Sequence, residues 1–175
     1  MTLQHVEPSH SERFDYEGGV ARLVDAFAQG SKKLLLVGAR GSGKSFLAAE
    51  LARRLGEQQL SCRCISADPG SPGFGVPAAL NLAQWRDDSW RLQRFSPLCT
   101  LDAGRFRLPL ISALQPLLTQ ADGNPLVVDT AGVVRGQAGA ELLQALVAAV
   151  EPDLVAVLGG DRELSGIDQE LNSLA

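Results

Sequence analysis

The sequence predicts an α/β fold: a mostly parallel sheet with helices on both faces. Three observations predict it. Short apolar runs alternate with segments of helical period. A glycine-rich loop joins one such run to the helical segment after it. Two later runs end at aspartates, Asp68 and Asp129.

Residues 1–18 read as a flexible leader, because Pro8, Ser9, Ser11, Gly18, Gly19 and the two histidines set no period. Met1–Tyr16 lacks an apolar stretch and is not expected to be a secretory signal. The domain is placed over 19–175. Val20, Leu23, Val24 and Phe27 recur at helical spacing, and Gly30 is placed to stop that helix. Lys33–Val37 is an apolar run that reads as a strand buried on both faces. The glycine loop Gly38–Ser45 follows. After it Phe46, Leu47, Leu51 and Leu55 share one helical face, with Gly56 as terminator.

Ser61–Ser66 predicts a second strand, ending at Ala67-Asp68-Pro69-Gly70. Proline and glycine then dominate Pro69–Pro77, a loop. Residues 78–107 follow no clear pattern and are expected to form a less regular insertion near the middle of the domain. Leu108–Leu118 reads as a helix, with Pro109 near its start and Pro116 ending or kinking it. Asp122-Gly123-Asn124 is a turn, and Pro125–Val128 is a third strand ending at Asp129. Ala138–Val150 is a periodic helix closed by Pro152. Asp153–Leu158 is a fourth strand, with Gly159-Gly160 and a last helix after it.

Composition narrows the function classes. At 175 residues, 45% hydrophobic and 21% charged, the chain suits one globular domain with a real core. No apolar run approaches the roughly 18–20 residues that cross a bilayer, so no membrane partner is expected. The cysteines number three, Cys62, Cys64 and Cys99, which favours reduced thiols and a cytoplasmic location over a disulfide framework. Cys62-x-Cys64 has no second ligand pair, and the histidines, His5 and His10, lie in the leader, so a cysteine–histidine metal centre is not expected. The net charge of −4 means that any polyanion site is local.

Gly38-Ala39-Arg40-Gly41-Ser42-Gly43-Lys44-Ser45 has the spacing G-x-x-x-x-G-K-[ST], the P-loop pattern, in a strand–loop–helix context. The glycines let successive backbone N–H groups approach phosphate oxygens, and the helix N-terminus adds partial positive charge. These residues and the adjoining Phe46 form the expected nucleotide-binding set. Lys44 is expected to neutralise the β- and γ-phosphates of ATP, and the Ser45 hydroxyl to ligate Mg²⁺. A parallel sheet places its ligands at the C-terminal ends of its strands, which makes Asp68 and Asp129 candidate metal residues beside Ser45. The fold expectation becomes a Rossmann-like P-loop NTPase. Asp129-Thr130-Ala131-Gly132 also has the D-x-x-G form of many nucleotide switches, while a guanine-reading N-K-x-D or T-K-x-D is absent.

Three blocks together, Gly38–Ser45, Asp68-Pro69-Gly70-Ser71-Pro72-Gly73-Phe74-Gly75-Val76-Pro77 and Val127-Val128-Asp129-Thr130-Ala131-Gly132-Val133-Val134-Arg135-Gly136, resemble the polynucleotide 5′-hydroxyl kinase family. That family includes the P-loop kinases of pre-mRNA cleavage and of rRNA and tRNA processing. The resemblance runs from about Leu34 to Leu158. It implies transfer of the ATP γ-phosphate to a 5′-hydroxyl end of RNA or DNA, with a single-stranded 5′ end as partner. It also implies a role for Asp68 in holding the metal's water shell or activating the hydroxyl, so that Lys44 and Asp68 are the candidate catalytic residues. Ser71 stands where the family has glutamine, and Val133 where it has a tryptophan.

Trp85, Arg86, Trp90, Arg91, Arg94, Phe95, Arg105, Phe106 and Arg107 crowd residues 84–107, where five arginines stand against three aspartates. Aromatics beside arginines suit stacking on single-stranded bases; equally, the tryptophans could fill a small core of their own.

Overall fold

The computed structural model describes residues 2–4, 16–121, 123–133 and 136–159. The apolar run before the glycine loop forms β2 (Lys33–Gly38), and the loop leads directly into α2 (Lys44–Glu57). Side chains along β2 alternate between two cores: Leu34 and Leu36 point to one face, Leu35 and Val37 to the other. That double burial explains the unbroken apolar run.

The other elements complete one sheet. β3 (Arg63–Ala67), β6 (Leu126–Thr130) and β7 (Leu154–Leu158) run parallel to β2, and β1 (Thr2–Gln4) pairs in parallel with β7. β4 (Ala79–Arg86) and β5 (Ser89–Pro97) continue the sheet in antiparallel sense, giving the order β1-β7-β2-β6-β3-β4-β5. Helices α1 (Tyr16–Ala28) and α2 pack on one face through Val20, Leu23, Phe27, Leu47, Leu51 and Leu55. Helices α3 (Arg107–Ala121) and α4 (Gly136–Val150) cover the other through Leu110, Leu114, Leu117, Leu142 and Leu146. The expected α/β architecture, a mostly parallel sheet between two helical layers, is the architecture of the chain. No helix among the described residues is long and apolar enough to cross a membrane.

The structure differs from the sequence expectation in three places. Residues 78–107 are not an irregular insertion over most of their length: β4 and β5 form a hairpin in register with β3. Its turn is Asp87-Asp88, with φ of 51° and 52°. Two consecutive left-handed residues make the tight turn whose twist matches paired strands, and aspartate tolerates that conformation. The usual Asn-Gly signal is missing, so the hairpin was hidden. Pro116 does not end the helix it sits in, because α3 continues to Ala121. Pro116 and Ser112 both lie on the exposed face, where the carbonyl that loses its partner can reach water. The leader is not wholly outside the domain: Thr2–Gln4 pairs with Leu154–Ala156, and α1 starts at Tyr16. His5, His10, Asp122 and the expected last helix after Gly159 lie outside the described residues.

Cys62 and Cys64 are free and buried, and burial pushes the Cys62 thiol up to about 12. Cys99 is free and exposed.

Candidate nucleotide and metal site

The parallel register brings the chemistry together. Asp129 lies opposite Leu36 on one side and Ser66 on the other, and Thr130 opposite Ala67. The C-terminal ends of β2, β3 and β6 therefore share one edge, and Asp68 is the first residue beyond β3. Neighbouring strands fix the aspartates beside the glycine loop without a direct sequence link.

A cavity of about 260 Å³ opens at that edge, lined by residues from three places. The glycine loop and α2 supply Arg40, Gly41, Gly43, Lys44, Ser45 and Phe46; the loop after β3 supplies Asp68 and Ser71; β6 supplies Asp129 and Thr130. Gly43 caps α2 with φ at 95°, a left-handed conformation that glycine adopts without strain. Gly38, Ala39 and Ser42 do not line the cavity. Gly38 and Ala39 instead offer their carbonyls to the Lys44 ammonium, at 2.7 and 2.9 Å. The Ser42 amide donates to the Ala39 carbonyl at 3.2 Å, and the Ser42 hydroxyl is buried with no hydrogen-bond partner.

Lys44 is 7% exposed, and burial pulls its pKa below the usual lysine value while Asp129 and Asp68 oppose that pull. Asp129 is 4% exposed, and burial raises its carboxyl above the usual range against the stabilising Ser45 hydrogen bond and the Lys44 charge. The Ser45 hydroxyl donates to Asp129 Oδ2 at 2.6 Å. Asp129 Oδ1 is buried without a hydrogen-bond partner. An unsatisfied buried carboxylate oxygen is costly, and it needs an occupant. The other oxygen of the same carboxyl is held by Ser45, at a pocket that also holds a lysine. That donor set fits a hard divalent cation with phosphate and water as its remaining ligands. Among the described residues there is no group of three or more His, Cys, Asp or Glu that could hold a metal ion by itself.

Asp68 joins the site at a greater remove. Its Oδ1 accepts the Gly70 and Ser71 amides at 3.0 and 3.1 Å, the local turn that aspartate favours. Among the described residues Oδ2 has no hydrogen bond. One carboxylate oxygen shapes the loop, and the residue lines the cavity. Phe46 is 67% exposed and packs against Tyr16 with ring centroids 5.8 Å apart.

Sequence reasoning missed two contributors, the Thr130 hydroxyl and Gly73, and marked a third, Gly132, without its packing role. The Thr130 hydroxyl donates to the Leu36 carbonyl at 2.7 Å and ties β6 to β2 just below the site. A Cβ on Gly132 would stand 2.8 Å from Arg40 Cα, so a glycine is needed where the loop after β6 touches the phosphate loop. A Cβ on Gly73 would stand 3.3 Å from Ser45 Cβ. The D-x-x-G spacing was a signal for Gly132; nothing local marked Gly73.

The arginine-rich segment is more occupied than its composition suggests. Trp85 and Trp90 meet edge-on at 5.0 Å, Trp90 lies 5.3 Å from Phe74, and both tryptophans pack on the core beneath α2. They fill a small core rather than presenting free rings. Arg107 pairs with Glu141 at 2.6 Å, Arg91 with Asp87 at 3.5 Å, and Arg94 donates to Gln120 at 3.2 Å. Phe95 and Phe106 remain exposed. Arg135, in the third resembling block, lies outside the described residues.

Comparison with known proteins agrees with the fold. The family model described as the P-loop of the mRNA cleavage and polyadenylation factor CLP1 matches residues 110–174, a stretch that includes Asp129 but begins after the glycine loop. No curated protein matches the sequence. Among solved structures, the wild-type Clp1p–Pcf11p (454–563) complex superposes with a TM-score of 0.68 at 14% identity, over 95% of this chain and 46% of that one. The GDP complex of the signal recognition particle 54 kDa protein from Aeropyrum pernix K1 gives a TM-score of 0.47 at 20% identity, over 95% of this chain and 41% of that one. The chain thus spans about half the length of the Clp1p chain it resembles, and it has the α/β fold of P-loop nucleotide-binding proteins.

Proposed function

We propose that the chain is an ATP- and Mg²⁺-dependent phosphotransferase that moves the γ-phosphate to the 5′-hydroxyl end of a single-stranded RNA or DNA. The observation that carries this reading is the convergence of Lys44, Ser45, Asp129 and Asp68 on one cavity. A pure phosphate-binding loop needs the first three. A carboxylate on the facing loop adds a group that can orient or deprotonate an acceptor hydroxyl.

In the transfer, the acceptor oxygen forms a bond to the γ-phosphorus as the bond from that phosphorus to the β–γ bridging oxygen breaks, and ADP leaves. The hydroxyl proton passes to Asp68 or to water. Lys44 exchanges the Gly38 and Ala39 carbonyls for phosphate oxygens and balances their charge. Ser45 and Asp129 would hold Mg²⁺, which supplies further charge neutralisation at the phosphates. The exposed Phe46 and Arg40 border the cavity and are candidate contacts for the nucleotide.

The test is transfer of labelled γ-phosphate from ATP to short RNA and DNA bearing a 5′-hydroxyl, with 5′-phosphorylated strands and an Asp68→Asn variant as controls. Label on the 5′ end, lost in the variant, is expected. Absence of label with ATP bound would overturn the kinase reading.

A second reading, a nucleotide hydrolase acting as a switch, is favoured by the close approach of Gly132 to Arg40, which would let the loop after β6 respond to phosphate. ADP formation independent of any acceptor would favour it. Binding without turnover would leave an ATP-binding module.

A further inference from the structure

The loop after β3 has few backbone hydrogen bonds of its own; the Ala78 amide to the Pro69 carbonyl, at 3.0 Å, closes its ends. Asp68 holds the Gly70 and Ser71 amides, and side chains from the sheet hold the loop beyond them. Ser66 in β3 is wholly buried, and its hydroxyl accepts the Gly73 amide at 3.2 Å. Asn81 in β4 is also wholly buried. Its Oδ1 accepts the Val76 amide at 3.0 Å, and its Nδ2 donates to the Val76 and Ala79 carbonyls at 2.9 and 3.4 Å. One amide side chain thus pairs both backbone groups of Val76, as a neighbouring strand would. Gly75 has φ at +82°, and a Cβ there would come within 2.8 Å of Asn81 Cβ, so the loop and the asparagine fit together only through that glycine. Phe74 adds an apolar anchor on Trp90, in the β4–β5 hairpin.

These anchors set one distance that matters. They press Gly73 against the Ser45–Asp129 pair: a Cβ at position 73 would stand 3.3 Å from Ser45 Cβ and 3.7 Å from Asp129 Oδ2. Burying a hydroxyl and an amide side chain is unfavourable unless they are paired, and here the pairing is spent on a loop that closes the site. A site held by a locked supporting layer keeps its reacting groups in place.

We infer that Ser66 and Asn81 are positioning residues, which fix the 69–77 loop against the candidate metal pair and make the β4–β5 hairpin part of the acceptor side of the site. The acceptor part of this inference rests on the proposed phosphotransfer; the loop and cation parts do not.

The test uses the full chain with Asn81→Ala, Asn81→Asp, Ser66→Ala and Phe74→Ala. Amide hydrogen exchange is read at Gly73 and Val76, alongside the Mg²⁺ dependence of ATP binding and the KM for a 5′-hydroxyl oligonucleotide. The alanine variants at 66 and 81 are expected to speed exchange in the loop and to weaken apparent Mg²⁺ affinity or raise acceptor KM by roughly 10- to 100-fold. Metal-free ATP binding is expected to stay unchanged. Asn81→Asp, which keeps the acceptor for Val76, is expected to lie between wild type and Asn81→Ala. Exchange that rises equally throughout the chain, or loop loosening with Mg²⁺ affinity and acceptor KM unchanged, would overturn the inference. Phe74→Ala lies in the loop rather than in a strand, so it reads the same anchoring if the buried variants fail to fold; unaltered loop exchange in it would also count against the inference. If the wild-type chain transfers no phosphate, the proposed function fails, while exchange and the Mg²⁺ titration still decide the role of Ser66 and Asn81.

Discussion

The two loops that face each other across the cavity are built in opposite ways. Gly38–Ser45 shapes itself: its carbonyls hold Lys44, the Ser42 amide turns back to Ala39, and Gly43 starts α2 in a left-handed conformation. Asp68–Pro77 is shaped largely from outside, by Ser66, Asn81 and Trp90 on β3, β4 and β5. The first loop takes its internal hydrogen bonds from its own residues and from the strand and helix it joins, with Gly132 and Leu158 packed closely against it. The second needs a hairpin that arrives later in the chain. A self-shaped loop can be recognised by spacing; a loop shaped from outside cannot, because its supports carry no fixed sequence interval.

That contrast can be broken or sharpened by substitution. The largest effect is expected for Lys44→Ala, which removes the charge facing the phosphates. Triphosphate binding or turnover should fall by about 10²–10³-fold, by analogy with loss of one preorganised electrostatic partner. The fold should remain, because the change also removes a buried ammonium. Equilibrium nucleotide binding with circular dichroism checks both; unchanged affinity and rate would remove the phosphate-loop assignment.

Asp129→Asn comes next. It keeps an oxygen for the Ser45 hydroxyl but loses the carboxylate charge. Mg²⁺ dependence of nucleotide binding should weaken by roughly 10- to 100-fold, with metal-free binding little changed. An isothermal titration with and without Mg²⁺ separates the two.

Gly132→Ala tests whether the self-shaped loop is also held from β6. The added methyl would press on the Arg40 backbone and cost about 1–3 kcal/mol, read as a lower urea midpoint together with weaker nucleotide binding. Normal stability and affinity would show that the phosphate loop shifts freely.

The smallest effect belongs to the surface of α2. Glu50 bonds Arg53 and Arg54, and those hydrogen bonds hold its carboxyl at about 2. A depressed folded-state pKa contributes stability above the ordinary glutamate range, and that stability is lost as pH falls toward 2. Glu50→Gln should therefore cost about 1 kcal/mol or less at neutral pH, and the gap from wild type should shrink in acid. Thermal unfolding at several pH values between neutral and 3 reads it. A gap that widens in acid would contradict the assigned charge state.

Much of the fold was legible because burial leaves a local trace. Lys33–Val37, Pro125–Val128 and Asp153–Leu158 read as strands from apolar runs that double-sided burial requires, and β2, β6 and β7 lie over them within a residue or two. Ala138–Val150 read as a helix because one face must meet the sheet, and α4 extends it by two residues at its start. The hairpin was not legible. Its β5 is an edge strand whose residues from Arg91 to Phe95 are exposed, so apolar alternation is weak, and arginines on an edge suit protection from further pairing rather than a core. Aspartates in left-handed geometry replaced the glycine that would have marked its turn.

The sequence by itself determined the phosphate loop, the order of the strands and helices apart from β1 and the β4–β5 hairpin, and the choice of Asp68 and Asp129 as candidates. Those properties follow from φ/ψ preferences, hydrophobic period and residue spacing, all of which act over short stretches of chain. Tertiary structure alone decided that Asp129 meets Ser45 at 2.6 Å with its second oxygen left unpaired, that the tryptophans pack on each other, and that Ser66 and Asn81 hold the facing loop. The first depends on parallel register, which brings together residues 84 positions apart, and the others on the antiparallel β3–β4–β5 pairing and the loop that folds back on it; no local preference encodes which buried polar group will find which backbone.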